Sequence, residues 1–345
     1  MRNVDFDLDL LKKLCLADGV SGYEDEVRDM IISEIKDFCD EVCIDALGNV
    51  LAFKRGAKQH KKRLMLCAHM DEVGFAVKYV NDDGTLLVDE VGMNTSIMPS
   101  KRVRIGKAKI PGVIGAKPVH LSGSDNKPLS IHDIFIDIGA RDKADAQSME
   151  LFGEYAAFDS DFCEFGNRLV KAKALDDRIG CAVMCLITKC RLEYDMFFAF
   201  TVGEELGGVG ASAAAQRIKP DICLVLEGTT ASDLALTDEK DKVCRLGNGP
   251  VAPFMDGGTA YDYELYTGIR KLAESFGIAC QTKEKIAGGT DARNIQRCSG
   301  GIRTAALSLP CRYIHTPTSV ASKKDMADMY ALTKILAADG KIYQM

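Results

Sequence analysis

The sequence predicts an α/β protein: a mostly parallel sheet with helices on both faces, interrupted by a small β-rich, barrel-like insertion. Two observations carry this. Short apolar runs, RLMLCAH (63–69), MFFAFTV (196–202), DICLVLE (221–227) and TAALSLP (304–310), alternate with segments of helical period. From about residue 73 to 165 the alternation stops, and short β-rich pieces follow one another, broken by DDG, Gly and Pro. The expected division is therefore 1–72 and 166–345 for the α/β part and 73–165 for the insertion.

In chain order, SGYEDEVRDMIISEI opens with Ser21 and Glu24, the spacing of a capping box. Val27, Met30, Ile31 and Ile35 follow at helical intervals, so a first helix is expected from Ser21 onward. KQHKKR (58–63) is a charge run, read as a solvated turn before the first buried strand, 63–69. VGFAVKYVNDDGTLLVDEVG, KRVRIGKAKIPGVIG and IHDIFIDIGA make up the insertion. DDRIGCAVMCLITKC (176–190) reads as a helix start followed by an apolar helix. YDYELYTGIRKLAESFG, between the last two strands, is helical in pattern.

Composition excludes several classes. With 345 residues, 47% of them hydrophobic, the chain has ample material for a core. A net charge of −6 lacks the basic face that nucleic-acid binding uses, so no nucleic-acid partner is expected. No apolar run reaches membrane-spanning length, and the acidic start MRNVDFDLDLLKKL does not read as a signal peptide. The expectation is a cytoplasmic protein without a membrane partner. The thirteen cysteines are odd in number, scattered, and without a CxxC pair, so they read as reduced thiols packed as small hydrophobes.

The polar residues at strand ends carry the chemistry. LMLCA ends at His69, with Asp71 two residues on. FFAFTVG leads to Glu204 and Glu205, ICLVL to Glu227, and ALSLP to His315 in CRYIHTP; Asp176 and Asp177 open the helix after the insertion. Sites on open parallel sheets form at the carboxyl ends of strands, which would gather these distant residues. Two histidines with several carboxylates suit two divalent ions, zinc or cobalt first and manganese third, sharing one carboxylate and a hydroxide. Side chains alternate along a strand, so adjacent Glu204 and Glu205 are expected to point apart, one as ligand and one as general base.

AHMDEVGF, KALDDRIGC, VGEELGGVGA, GGTDARN and LPCRYIHTP, in this order, resemble the co-catalytic metallo-aminopeptidases that include the tetrahedral and glutamyl aminopeptidases, peptidase family M42. GVSGYE, DALGN and the insertion extend the resemblance over nearly the whole chain. It implies a phosphorylase/hydrolase-like α/β domain and an inserted domain that helps build homodimers able to form dodecamers. It implies that His69, Asp176 and Glu227 hold one ion, and Asp176, Glu205 and His315 the other. Glu204 would be the general base, and Asp71 would fix the tautomer of His69. It also implies a cis peptide bond between Asp176 and Asp177, and short peptides as substrates.

Glu227 is a departure, since many members of the family have Asp at this place. Glutamate there motivates an alternative reading as a deacylase or carboxypeptidase on the same ion pair. A glucanase reading would leave both histidines without a task. Ala287–Asp291 is expected to face substrate. Arg312 is read either as an oxyanion contact or as an ion-pairing residue. His60, His120 and His132 are expected to be structural, and Met93 and Met98 to fill core or interface gaps.

Overall fold

The computed structural model describes residues 6–93, 95–117 and 129–345, so His120 lies outside the described residues. Helix α1 (Leu8–Leu16) is capped by Asp7, whose side chain accepts the Leu10 N–H. Helix α2 (Asp25–Ile35) starts three residues later than the Ser21–Glu24 spacing predicts, and its N-cap, Glu24, makes no side-chain cap. The box fails because both side chains are engaged elsewhere. The Ser21 hydroxyl donates to Asp71 Oδ2 at 2.5 Å. Glu24 Oε1 accepts the N–H groups of Gly22, at 2.9 Å, and Gly203, at 3.2 Å.

Strands β1 (Glu41–Ile44) and β2 (Val50–Lys54) form an antiparallel hairpin. Asp45 Oδ1 shapes its turn by accepting the N–H groups of Leu47, Gly48 and Asn49. Then comes β3 (Leu64–His69). Six strands follow: β4 (Gly74–Val80), β5 (Leu86–Val91), β6 (Arg102–Ile105), β7 (Ile110–Ala116), β8 (Ile134–Asp137) and β9 (Tyr155–Phe158). They close into a barrel in the order β4-β5-β8-β7-β6-β9, with short α3 (Lys143–Gln147) beside it. Phe75, Val88, Met98, Val103, Ile136 and Phe158 fill its own core. Closure leaves no free strand edge, so a small β unit can sit on a larger domain without exposing a template for pairing.

After the barrel come β10 (Cys163–Phe165), β11 (Leu169–Ala172), α4 (Leu175–Thr188), β12 (Met196–Thr201), α5 (Val209–Ile218) and β13 (Ile222–Thr230). Then come α6 (Tyr263–Phe276), α7 (Ala292–Ile295), β14 (Arg303–Cys311), β15 (Ser319–Ser322) and α8 (Lys323–Thr333), which runs on into a π-helical turn, Lys334–Ala338. The main sheet has the order β1-β2-β12-β3-β13-β14, and β10, β11 and β15 form a separate small sheet. Strands β12, β3, β13 and β14 are mutually parallel, as the alternating pattern predicts. The sheet as a whole is mixed, because β2 joins β12 in antiparallel register.

Helices cover both faces. Leu64, Leu66 and Ala68 of β3 point into one core, together with residues of α1, α2, α4 and α8. Met65 and Cys67, on the other face, meet Ala211, Ala214 and Ala215 of α5 and Ile295 of α7. All six residues of β3 are buried, as an interior strand covered on both faces requires. Burying one such leucine is worth about 1.5–3 kcal/mol, which makes this strand a firm base for the residues at its end. The thirteen cysteines are all free, most of them buried. Among the described residues no helix is long and apolar enough to cross a membrane.

Candidate metal centre

Every expected residue converges on the carboxyl end of the parallel strands. His69 is the last residue of β3, and Glu227 lies in β13 three residues before its end. Asp176 and Asp177 sit in the first turn of α4, and the bond between them is cis. Glu204 and Glu205 follow β12, and His315 follows β14, with φ of 58°.

Asp176 stands between the two imidazoles. Its Oδ1 is 3.4 Å from His69 Nε2, and its Oδ2 is 3.5 Å from His315 Nε2. Glu227 Oε1 lies 3.0 Å from His69 Nε2, and Glu205 Oε1 lies 3.4 Å from His315 Nε2. Ligand atoms of His69, Asp176 and Glu205 lie within 4.8 Å of one another, as do those of His69, Asp177 and Glu227. Asp177 has other work, however: it accepts the N–H of His69 at 3.3 Å and that of Gly180 at 2.9 Å, tying α4 to β3.

Asp71 does more than the sequence suggests. His69 Nδ1 is 3.1 Å from the Asp71 carbonyl oxygen and 3.3 Å from its Oδ1, the contacts expected of a residue that fixes the tautomer. The same carboxylate also accepts the backbone N–H groups of Glu204 and Glu205, each at 3.0 Å, and the Ser21 hydroxyl. Contrary to the expectation from strand alternation, Glu204 and Glu205 are not strand residues. The two residues lie in a turn beyond β12, and both line the same cavity. Their placement comes from Asp71 gripping two successive amides, not from the pleat of a strand.

The electrostatics are those of surplus negative charge. Burial pushes Glu204 up to about 9 against the pull of His69, with Asp291, Glu205 and Asp176 adding to the rise. Burial and Asp176 push Glu205 up to about 7 against His315. Glu227 is held well above the usual carboxylate range by burial, with His69 opposing and Asp177 and Asp176 adding. Burial alone would lower the histidines. Glu227, Asp176 and Asp71 nevertheless raise His69, and Asp176 and Glu205 raise His315 to about 9. Glu227 Oε2, fully buried, has no hydrogen-bond partner. Converging carboxylates, two imidazoles and an orphaned buried oxygen fit cations, since buried like charges need a counter-charge.

The cavity encloses about 260 Å³ and is lined by Asp176, Glu204, Glu205, Glu227, Lys283 and His315, with Gly288 and Gly289 of the expected substrate-facing loop. The inserted barrel reaches it too. Gly92, one residue after β5, has φ of +71°, and a Cβ there would lie 2.6 Å from Glu205 Oε2. Arg312 is an ion-pairing residue, bound to Asp233 at 2.6 and 2.8 Å. His60 packs against Tyr343 in a tilted contact and against Tyr194 edge-on, His132 is exposed, and Met98 is buried in the barrel.

Sequence reasoning missed Ser21, Glu24, Asn49 and Lys283. Ser21 and Glu24 carry a local helix signal that hid their contacts with Asp71 and Gly203. Asn49 sits in an ordinary-looking turn, yet its Oδ1 accepts the Val202 N–H at 3.0 Å. Lys283 stands seven residues before Thr290, with no strand-end signal to mark it. A charged residue just ahead of a glycine loop was the available clue.

The family model of the M42 glutamyl aminopeptidases matches residues 48–332. A protein of Acetivibrio thermocellus, provisionally named an aminopeptidase, is 37% identical over 92% of this chain and 94% of its own. The lysyl aminopeptidase of Pyrococcus furiosus is 32% identical over 97% of this chain and 98% of its own. The solved TET1 peptidase of Pyrococcus horikoshii, described as assembling into a tetrahedron or a large octahedral shell, superposes with a TM-score of 0.85 at 32% identity. That match covers 96% of this chain and 98% of that one.

Proposed function

The chain belongs to the M42 glutamyl aminopeptidase family, and from that premise we propose that it removes amino-terminal residues from short peptides with two divalent ions held in the acidic cavity. The observation that carries this is Asp176, whose two oxygens face two different imidazoles. His69, Asp176 and Glu227 would hold one ion and Asp176, Glu205 and His315 the other. Imidazole nitrogen with carboxylate oxygen suits zinc or cobalt, and manganese next. When bound, the ions supply Lewis acidity toward the scissile carbonyl and the attacking water.

The remaining work belongs to side chains. Glu204 takes the proton of the attacking water and delivers it to the leaving amine. Burial, with Asp291, Glu205 and Asp176 adding, raises this carboxyl, and the charge of bound ions would draw it back toward the ionised form that a base needs. Asp71 holds His69 in one tautomer and orientation. Gly288 and Gly289 line the cavity, and the amino-terminal side chain would sit beside them.

The reading extends to the whole chain. The α/β part, 1–72 and 166–345, is the phosphorylase/hydrolase-like catalytic domain, and 73–165 is the module through which copies assemble, as dimers or dodecamers. Free thiols throughout support a reducing, cytoplasmic setting. The family favours aminopeptidase action over the deacylase and carboxypeptidase alternatives.

The test is a panel of aminoacyl-p-nitroanilides with zinc- or cobalt-loaded protein, with and without chelator. Release that chelator abolishes is expected, and no release across a broad panel sinks the reading. Glu204→Gln is expected to keep its metal content and lose roughly 10²–10⁴-fold in kcat. Equal loss of metal would mean that Glu204 is a ligand instead.

A further inference from the structure

The turn that carries Glu204 is held by a run of side chains from other parts of the chain. Four successive backbone amides, Val202 to Glu205, each donate to a side-chain oxygen. Val202 N–H donates to Asn49 Oδ1 at 3.0 Å and Gly203 N–H to Glu24 Oε1 at 3.2 Å. Glu204 N–H and Glu205 N–H donate to the two oxygens of Asp71, each at 3.0 Å. The far side of the turn is held as well. Asn294 Nδ2 donates to the carbonyls of Gly207, at 2.8 Å, and Gly208, at 3.2 Å, and Asn49 Nδ2 donates to that of Gly210 at 3.0 Å.

Surface turns ordinarily give such amides to water. Here Asn49 and Asp71 are fully buried and Glu24 is 4% exposed, so the contacts are dry and fixed. The chain leaves β12 through Gly203 at φ +67°, a conformation that glycine adopts without strain. No regular element therefore dictates where Glu204 begins; the acceptors do. A base must be held within about 0.5 Å of its working position by groups whose own rotamers are locked.

We propose that Glu24 and Asn49 are positioning residues for the base: acting through the amides of Gly203 and Val202, they fix the backbone from which Glu204 reaches the cavity. Glu24 lies outside the residues matched by the family, which begin at 48. Its segment, GVSGYE, also supplies Ser21 to Asp71, so the first fifty residues clamp the turn from two directions. The inference rests on Glu204 being the base, as proposed above.

Two measurements test it, one independent of turnover. In hydrogen–deuterium exchange of the metal-loaded protein, the amides of 202–205 are expected to be protected. Glu24→Ala is expected to speed exchange of the Gly203 amide at least about tenfold, and Glu24→Gln, which keeps an acceptor oxygen, to restore protection. In steady-state kinetics, Glu24→Ala is expected to lower kcat at least about tenfold with KM within twofold and metal content unchanged. Glu24→Gln should recover most of the rate.

Unchanged exchange in Glu24→Ala overturns the proposal, as does a kcat within twofold of the parent, or a Gln variant as slow as the Ala one. Metal lost in step with kcat also overturns it, since the role would then be general support of the cluster. Should Glu24→Ala not fold, Glu24→Asp, one methylene shorter, is read by the same criteria. If exchange behaves as expected while no protein hydrolyses any substrate, the clamp stands and the functional reading falls.

Discussion

The two imidazoles of the centre are held in opposite ways. His69 ends a strand buried on both faces, its side chain is 1% exposed, and Asp71, Asp176 and Glu227 surround it. His315 lies on a loop beyond β14, its side chain is 40% exposed, and its carboxylate neighbours are Asp176 and Glu205. Glu227 shares the rigidity of the first half, being on β13, whereas Glu205 shares the turn-borne character of the second. The contrast teaches that the two halves of one site need not be built alike. One half is part of the sheet, and the other is assembled over it from connecting segments.

The sharpest way to break this comparison is to remove what the halves share. Asp176→Ala is expected to abolish activity and to take metal content toward zero in mass spectrometry, because neither half keeps its ligand set. If one ion persists at full occupancy, Asp176 does not join the halves.

Next in size is the difference between the histidines themselves. His315→Ala is expected to retain about one ion and to regain part of its activity in excess metal, whereas His69→Ala regains none. A graded chelator titration of the parent should likewise release its ions in two steps. Loss of both ions in one step, with identical behaviour of the two variants, would make the halves equivalent.

The smallest effect concerns the anchor of the loop. Arg312 pairs with Asp233 three residues before His315. Burial would raise Asp233, yet the Arg312 guanidinium and the Leu246 N–H hold it below the usual carboxylate range. A depressed carboxylate contributes fully above its unfolded-state pKa and loses that contribution as pH falls through its folded one. Asp233→Asn is therefore expected to weaken retention of the more labile ion by at most about tenfold near neutrality, with the difference from the parent shrinking in acid. An equal effect on the firmly held ion would count against the anchor.

This asymmetry also explains what could be read in advance. Buried strands announce themselves as apolar runs, and whatever polar residue ends them stands out, which is how His69 and Glu227 were legible. His315 was visible by the same rule, just past ALSLP, and Asp176 as the opening of a helix after the insertion, with the order of motifs added. The clamp was not. Ser21 and Glu24 satisfy a local helix-start pattern, and only the fold reveals that their side chains are drawn 50 and 179 positions along the chain, to Asp71 and Gly203. The β1–β2 hairpin and the small β10–β11–β15 sheet escaped for a related reason: their strands are three to five residues long. Too few residues are present to show a period, and β15 finds its partner about 150 residues away in sequence.

Gly92 sets a condition on rebuilding this molecule. With a would-be methyl 2.6 Å from Glu205, the corner where the barrel meets the sheet has no spare room. A chimera that grafts another module at this junction must therefore present bare backbone there, or Glu205 is pushed out of the cavity before the graft has done anything else.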